Sequence, residues 1–173
     1  TFDWVNYLFA CSACNSNAKR DRFAVIDDSD VLHNVTRSKN DPIVPPIAGV
    51  PALINPRFED PLQYLRIDLL RTFEFLPRPG LSSHDEIRAK YTIDVLKLNG
   101  RDELRKWRKD AYSSYIGWVD TYRRYRDEGD IQRISEHVIT LKGRTHLAVW
   151  EEMKRVYRER DVERWEDLKG RYN

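Results

Sequence analysis

The second half of the chain carries hydrophobic residues at steps of three and four, which is the spacing of one face of a helix. The longest of these stripes predicts a helix over residues 102–127 that ends at Gly129. Its members are Leu104, Trp107, Ala111, Tyr115, Trp118, Tyr122 and Tyr125. Shorter stripes predict two more helices and comprise Ile131, Ile134, Val138 and Leu141, followed by Leu147, Trp150, Met153 and Tyr157. We interpret the stripes as core packing rather than as exposed aromatic residues that stack on bases.

An earlier helix is predicted from signals at both of its ends. Ser82 or Ser83 is the predicted N-cap, because acidic residues that suit the helix dipole follow directly. Gly100, in the sequence LNG, is the predicted C-terminal residue. The apolar face is predicted to be marked by Ile87, Tyr91, Asp94 and Leu98 and widened by Ile93 and Leu96.

The pattern before this helix is different. Residues 27–61 are rich in proline and acidic residues and predict a long loop with little regular structure. The runs YLRIDL and RTFEFL then alternate between polar and apolar residues, which predicts a β hairpin with its turn around Leu70 and Arg71. At the start of the chain, residues 3–19 predict a short helix capped by Asp3.

Composition narrows the classes of protein. The chain has 173 residues, 40% of them hydrophobic, which is enough for the core of one domain and argues against wholesale disorder. The net charge of +2 neither requires nor excludes a nucleic-acid partner. No apolar run approaches the roughly 18–20 residues of a membrane span, so no membrane partner is expected. The two cysteines stand in one CxxC, which is not a disulfide scaffold and favours a reducing cytoplasm.

Cys11 and Cys14 form this CxxC, within the sequence FDWVNYLFACSACNSNAKRDRF. Such a pair is a redox couple, half of a zinc site or a chance occurrence. A redox couple requires a preceding strand in a βαβ context, which the pattern does not predict. Zinc requires four ligands, and the histidines are not spaced from the cysteines in a recognised zinc pattern. These are His33, His84, His137 and His146, which we interpret as surface or capping residues.

The segment DWVNYLFACSACN resembles the second half of an HNH endonuclease motif, in which a β hairpin and a helix hold one divalent metal ion. The resemblance implies that Asn6 is a catalytic residue that braces the central loop. It implies that Asn15, on the helix directly after the CxxC, ligates the catalytic metal. An amide oxygen suits Mg²⁺ or another hard divalent ion. Cys11 and Cys14 fall on the second pair of structural zinc ligands.

Three basic residues follow the metal-ligand position. Lys19, Arg20 and Arg22 fall where the resemblance places residues that face nucleic-acid phosphates. Lysine and arginine offset the charge of the phosphate backbone. Taken singly, Asn6 and Asn15 could also be caps or turn residues, since asparagine favours both positions.

Three segments farther along extend the resemblance to about half of the chain. LINPRFEDPLQYLRID, YTIDVLKLN and ELRKWR are similar to the nuclease subunits of Septu-type and retron-associated anti-phage systems. The resemblance implies a role in prokaryotic defence. It also implies an ATPase partner subunit and a nucleic-acid substrate, with DNA favoured over RNA.

The first CxxC and the catalytic His of the HNH pattern have no counterpart in this sequence. We therefore expect the chain to be the C-terminal part of a longer protein and to be inactive alone. The expected fold is mainly α, with part of a ββα-metal HNH motif at residues 1–25, an extended loop and β hairpin at 26–80 and a helical region at 81–173. The alternative function is a helical protein–protein interaction module of a defence complex with no activity of its own.

Overall fold

The computed structural model describes residues 12–35, 40, 48–142 and 146–160. These residues are mainly helical and include two small β-sheets, which is compatible with the prediction of a mainly α chain. The chain divides into two compact units. The N-terminal unit comprises Thr1–Arg66 and Phe75–Arg101, and the helical unit comprises Ile67–Glu74 and Asp102–Asn173.

A three-stranded antiparallel sheet in the N-terminal unit has the strand order β2-β1-β3. The strands are β1 (Ala24–Ile26), β2 (Leu32–Asn34) and β3 (Val50–Pro51). Asp27 sets the turn between the first two, because its Oδ1 accepts from the backbone N–H groups of residues 29 and 31 at 2.9 and 3.0 Å. The described part of the predicted loop over residues 27–61 thus contains β2 and β3, which are too short to show an alternating pattern.

A β hairpin follows, as predicted, with strands β4 (Leu65–Ile67) and β5 (Phe75–Pro77). The side chain of Asn99 pairs with the backbone of Phe75, whose N–H donates to Oδ1 at 2.7 Å and whose carbonyl accepts from Nδ2 at 2.8 Å. This amide satisfies the backbone of β5 as a neighbouring strand would. The asparagine of the segment YTIDVLKLN therefore has a structural role.

Helix α1 (Ser83–Val95) begins as predicted, since the Ser82 hydroxyl accepts from the N–H of Asp85 at 3.1 Å. Its predicted end at Gly100 is wrong. The helix stops five residues earlier in a Schellman motif, in which Lys97 has a φ of 48° and its N–H donates to the carbonyl of Asp94 at 3.0 Å. Sequence reasoning missed this end because the left-handed position is normally a glycine.

The face of α1 that is most deeply buried differs from the predicted one. The buried residues are Arg88, Ala89, Thr92 and Val95, whereas the predicted apolar edge is half-buried and its Asp94 is exposed. Ile87 and Tyr91 pack on a cluster of Ala24, Ile26 and Ala52. A second cluster joins Ala89 to Ile54 and Leu65. Helix α1 therefore packs against β1 and the segment after β3.

The helical unit contains α2 (Asp102–Asp127), α3 (Ile131–Lys142) and α4 (Leu147–Arg160). All three helices are confirmed, and Gly129 ends α2 with a φ of 72°. Tyr115 is buried edge-on between Trp118 and Trp150, with ring centroids 5.6 and 5.1 Å away. The core interpretation is wrong for three stripe residues that are more than half exposed, Trp107, Ile131 and Leu147. None of the described helices is long and apolar enough to cross a bilayer.

Candidate metal and nucleic-acid site

Cys14 and Asn15 lie in a short helix with wide turns, Ala13–Lys19, in the N-terminal unit. The wide turn is visible at its end, where the N–H of Arg20 donates to the carbonyl of Asn15 at 2.7 Å. Cys14 is half-buried, and Asn15 is exposed. Asn6 and Cys11 lie outside the described residues, so their predicted roles stay predictions.

The thiol of Cys14 has a cationic neighbour that sequence reasoning missed. Nη2 of Arg101 donates to Cys14 Sγ at 3.0 Å, across 87 positions of the chain. The contact joins the helix of Ala13–Lys19 to the segment that follows α1.

These two residues fit the metals that the resemblance implies. Cys14 offers a soft sulfur for zinc, and the exposed amide of Asn15 offers a hard oxygen for Mg²⁺. Within the described part of the chain, no group of three or more His, Cys, Asp or Glu is placed to hold a metal ion. A complete site of either kind would need ligands in addition to these two.

The three predicted phosphate-facing residues lie in different surroundings. Nζ of Lys19 lies 3.5 Å from the centroid of the Phe23 ring, and burial lowers the pKa of Lys19 against an opposing effect of Asp21. Arg20 is exposed, and its side chain has no hydrogen bond or ion pair with a described residue. Of the three side chains, that of Arg20 is therefore the best placed to meet a phosphate.

Arg22 is engaged with the protein itself. Its Nη2 donates to the backbone carbonyl of Ala18 and, at 3.0 Å, to that of Val95 at the end of α1. Its Nη1 lies 3.8 Å from Oδ2 of Asp94. Unlike Arg20, Arg22 thus joins two helices, although its side chain is 41% exposed.

A second polar network, also missed from the sequence, anchors the other side of α1. The Arg88 side chain is only 7% exposed, and its two terminal nitrogens bind the two carboxylate oxygens of Glu59, each at 2.7 Å. Its Nε donates to the carbonyl of Pro51 at 3.1 Å, and the hydroxyl of Tyr64 donates to Glu59 at 3.0 Å.

A further contact holds α1 nearby, where the Thr92 hydroxyl accepts from the N–H of Ile54 at 3.0 Å. The segment LINPRFEDPLQYLRID therefore carries residues that hold α1 in place.

Acid should weaken this network. Hydrogen bonds from Arg88, and to a lesser extent from the backbone of Asn55 and from Tyr64, lower the pKa of Glu59 from 4.5 to about 2. A lowered carboxylate pKa contributes stability above pH 4.5 that is lost as the pH falls towards 2. We expect the free energy of unfolding, measured by urea titration at successive pH values, to fall across this window. Glu59→Gln should flatten the fall, whereas Glu86→Gln, at an exposed pair with Lys90, should not.

Three of the histidines have partners of their own. His33 Nε2 lies 2.7 Å from Oδ2 of Asp27, and His84 Nδ1 lies 3.1 Å from Oδ1 of Asp30. In the helical unit, Nε2 of His137 lies 2.8 Å from the carbonyl of Trp118. Each of these three histidines thus has a partner within the protein, and their interpretation as surface or capping residues stays a prediction.

Comparison with known proteins found no match. No family model, no curated protein and no solved structure matches this chain. A functional proposal therefore depends on the residues of the site.

Proposed function

We propose that this chain supplies the metal-ligand helix of an HNH-type endonuclease that hydrolyses phosphodiester bonds in nucleic acid. The observation that carries the proposal is the placement of Asn15. It is exposed on the helix directly after a CxxC whose second thiol accepts a hydrogen bond from Arg101. The same helix is followed by an exposed Arg20. The helix thus carries an exposed amide oxygen that could bind a metal ion, and the arginine directly after it could bind a phosphate.

Each residue has a distinct part in this proposal. A Mg²⁺ ion held here would polarise the scissile phosphate and stabilise the leaving oxygen. Asn15 holds the ion through its amide oxygen, and its exposure leaves room for a substrate phosphate to approach. Asn6 braces the loop, and Cys11 and Cys14 hold structural zinc together with two further ligands. The general base is a histidine that this sequence does not supply by motif.

The substrate and the setting follow the resemblance. We propose DNA as the substrate, prokaryotic anti-phage defence as the setting and an ATPase as the partner subunit. The test is a cleavage assay on the natural full-length protein with Mg²⁺ and with a chelator, using Asn15→Ala as the inactive variant. Undiminished cleavage in the presence of the chelator, or in Asn15→Ala, would contradict the proposal.

Exposed apolar side chains in the helical unit favour a second candidate, a docking module for a partner protein. Ile131 and Ile139 on α3 are 77% and 72% exposed, and Trp107 on α2 and Leu147 on α4 are 61% and 63% exposed. Large aromatic and aliphatic residues of this kind form the centre of protein interfaces.

This candidate predicts that Ile139→Glu abolishes co-purification with the proposed ATPase subunit and leaves the circular dichroism spectrum unchanged. A charge at the centre of an apolar interface cannot be solvated there, whereas an exposed position tolerates it in the isolated protein. Gln132→Glu, at another exposed position of α3, is the matched control. Retained binding in Ile139→Glu would argue against docking through α3.

A further inference from the structure

Two arginines hold the helix of Ala13–Lys19, one near each end. Near its start, Arg101 donates to Cys14 Sγ at 3.0 Å. Just after its end, Arg22 donates to the carbonyls of Ala18 and Val95. Both contacts lead to the C-terminal end of α1 and the residues that follow it. The helix that carries Asn15 is therefore fixed at two points to the same part of the N-terminal unit.

The chemistry of Arg22 suits this connection. The last carbonyls of a helix lack partners within the helix and carry a partial negative charge. One planar guanidinium can donate to such carbonyls from two helix ends at once. Asp94, 3.8 Å away, adds a further negative charge on the α1 side. These contacts engage Nη2 in joining the two helix ends, although the Arg22 side chain remains 41% exposed.

We propose that Arg22 is a positioning residue for Asn15 rather than a nucleic-acid contact. Together with Arg101 it sets the orientation of the Asn15 helix relative to α1. Arg88 and Thr92 in turn fix α1 to residues 51–64. This inference rests on the proposed nuclease function, but its structural part can be tested separately.

The two roles predict different changes in the same protein. An arginine that contacts phosphate contributes affinity, and its loss reduces the slope of log K against log salt by about 1. A positioning residue affects the rate, because a displacement of about 1 Å at a reacting group can cost 100-fold. Arg20, two positions earlier and exposed, is the matched control for loss of one positive charge.

The experiment uses the natural full-length protein and a short DNA duplex. Arg22→Ala should lower kcat about tenfold or more and leave the affinity and the salt slope unchanged, whereas Arg20→Ala should lower both affinity and slope. Arg22→Lys, which retains one donor group, should show a smaller loss of kcat. Amide hydrogen exchange across residues 13–19 should be faster in Arg22→Ala than in Arg20→Ala.

Reduced affinity and slope in Arg22→Ala, with hydrogen exchange unchanged, would overturn the positioning role. A wild-type protein that neither binds nor cleaves nucleic acid would overturn the proposed function instead. In that case hydrogen exchange still decides whether Arg22 fixes the helix. Unchanged exchange in both Arg22 variants would reject that role as well.

Discussion

Asn15→Ala in the natural full-length protein should remove most Mg²⁺-dependent cleavage, with a loss on the order of 100-fold or more. In the proposed site, the amide oxygen of Asn15 acts through the metal on the charge that develops at the phosphate. Its loss should therefore slow the chemical step of cleavage. Folding should be unaffected, because Asn15 is exposed and its bond to Arg20 is made by a backbone carbonyl that alanine retains. The measurements are cleavage rate with Mg²⁺, circular dichroism and thermal unfolding.

The same helix offers a matched control for this variant. Asn17 is also exposed and stands two positions later, on a different side of the helix. Asn17→Ala should cleave at the wild-type rate, whereas Asn15→Asp, which keeps an oxygen at the same place, should retain part of the activity. Full activity in Asn15→Ala would reject Asn15 as a metal ligand.

Helices with a long stripe and a clear end were predictable from the sequence. The bounds of α2 agree with the prediction because seven apolar positions keep one phase from Leu104 to Tyr125 and Gly129 supplies the left-handed residue that ends the helix. The Ser82 cap and the hairpin were predictable for the same reason, since each has a local signal. Elements whose ends and buried faces are set by nearby residues can therefore be predicted from the sequence.

The buried polar face of α1 could not be predicted in this way. Periodicity treats arginine and threonine as exposed, yet Arg88 and Thr92 are among the most buried residues of this helix. Their burial depends on Glu59 and on the backbone of Pro51 and Ile54, all of which lie in the proline-rich segment of residues 27–61. Partners this far apart in sequence leave no periodic signal.

The candidate site likewise combines a feature that the local sequence predicts with contacts that depend on residues far apart in the chain. The predicted helix over residues 3–19 includes Cys14 and Asn15, and within its described part the structure has a helix over Ala13–Lys19. The three basic residues that follow look alike in sequence. Arg22 differs from Arg20 because it donates to the carbonyl of Val95 at the end of α1, and Val95 lies 73 residues farther along the chain. Arg101 lies 87 positions after Cys14 and belongs to no motif.

Arg88→Ala should lower the free energy of unfolding of the N-terminal unit by about 3 kcal/mol, the low end of the range for removing one partner of a buried ion pair. Glu59 would lose its bidentate partner while its side chain remains only 23% exposed, and Pro51 would lose a hydrogen bond. The measurement is urea unfolding followed by circular dichroism, together with hydrogen exchange in α1. Lys90→Ala is the control on the same helix, because its pair with Glu86 is exposed and should contribute about 0.3–0.5 kcal/mol.

Two further variants separate the ion pair from simple loss of volume. Arg88→Lys keeps the charge but cannot reproduce the two parallel bonds to Glu59, so it should recover only part of the stability. In a double-mutant cycle, Glu59→Gln should cost much less in the Arg88→Ala background than in the wild type, because the partner is already missing. Additive effects, or a loss in Arg88→Ala no larger than in Lys90→Ala, would show that the pair does not hold α1 in place.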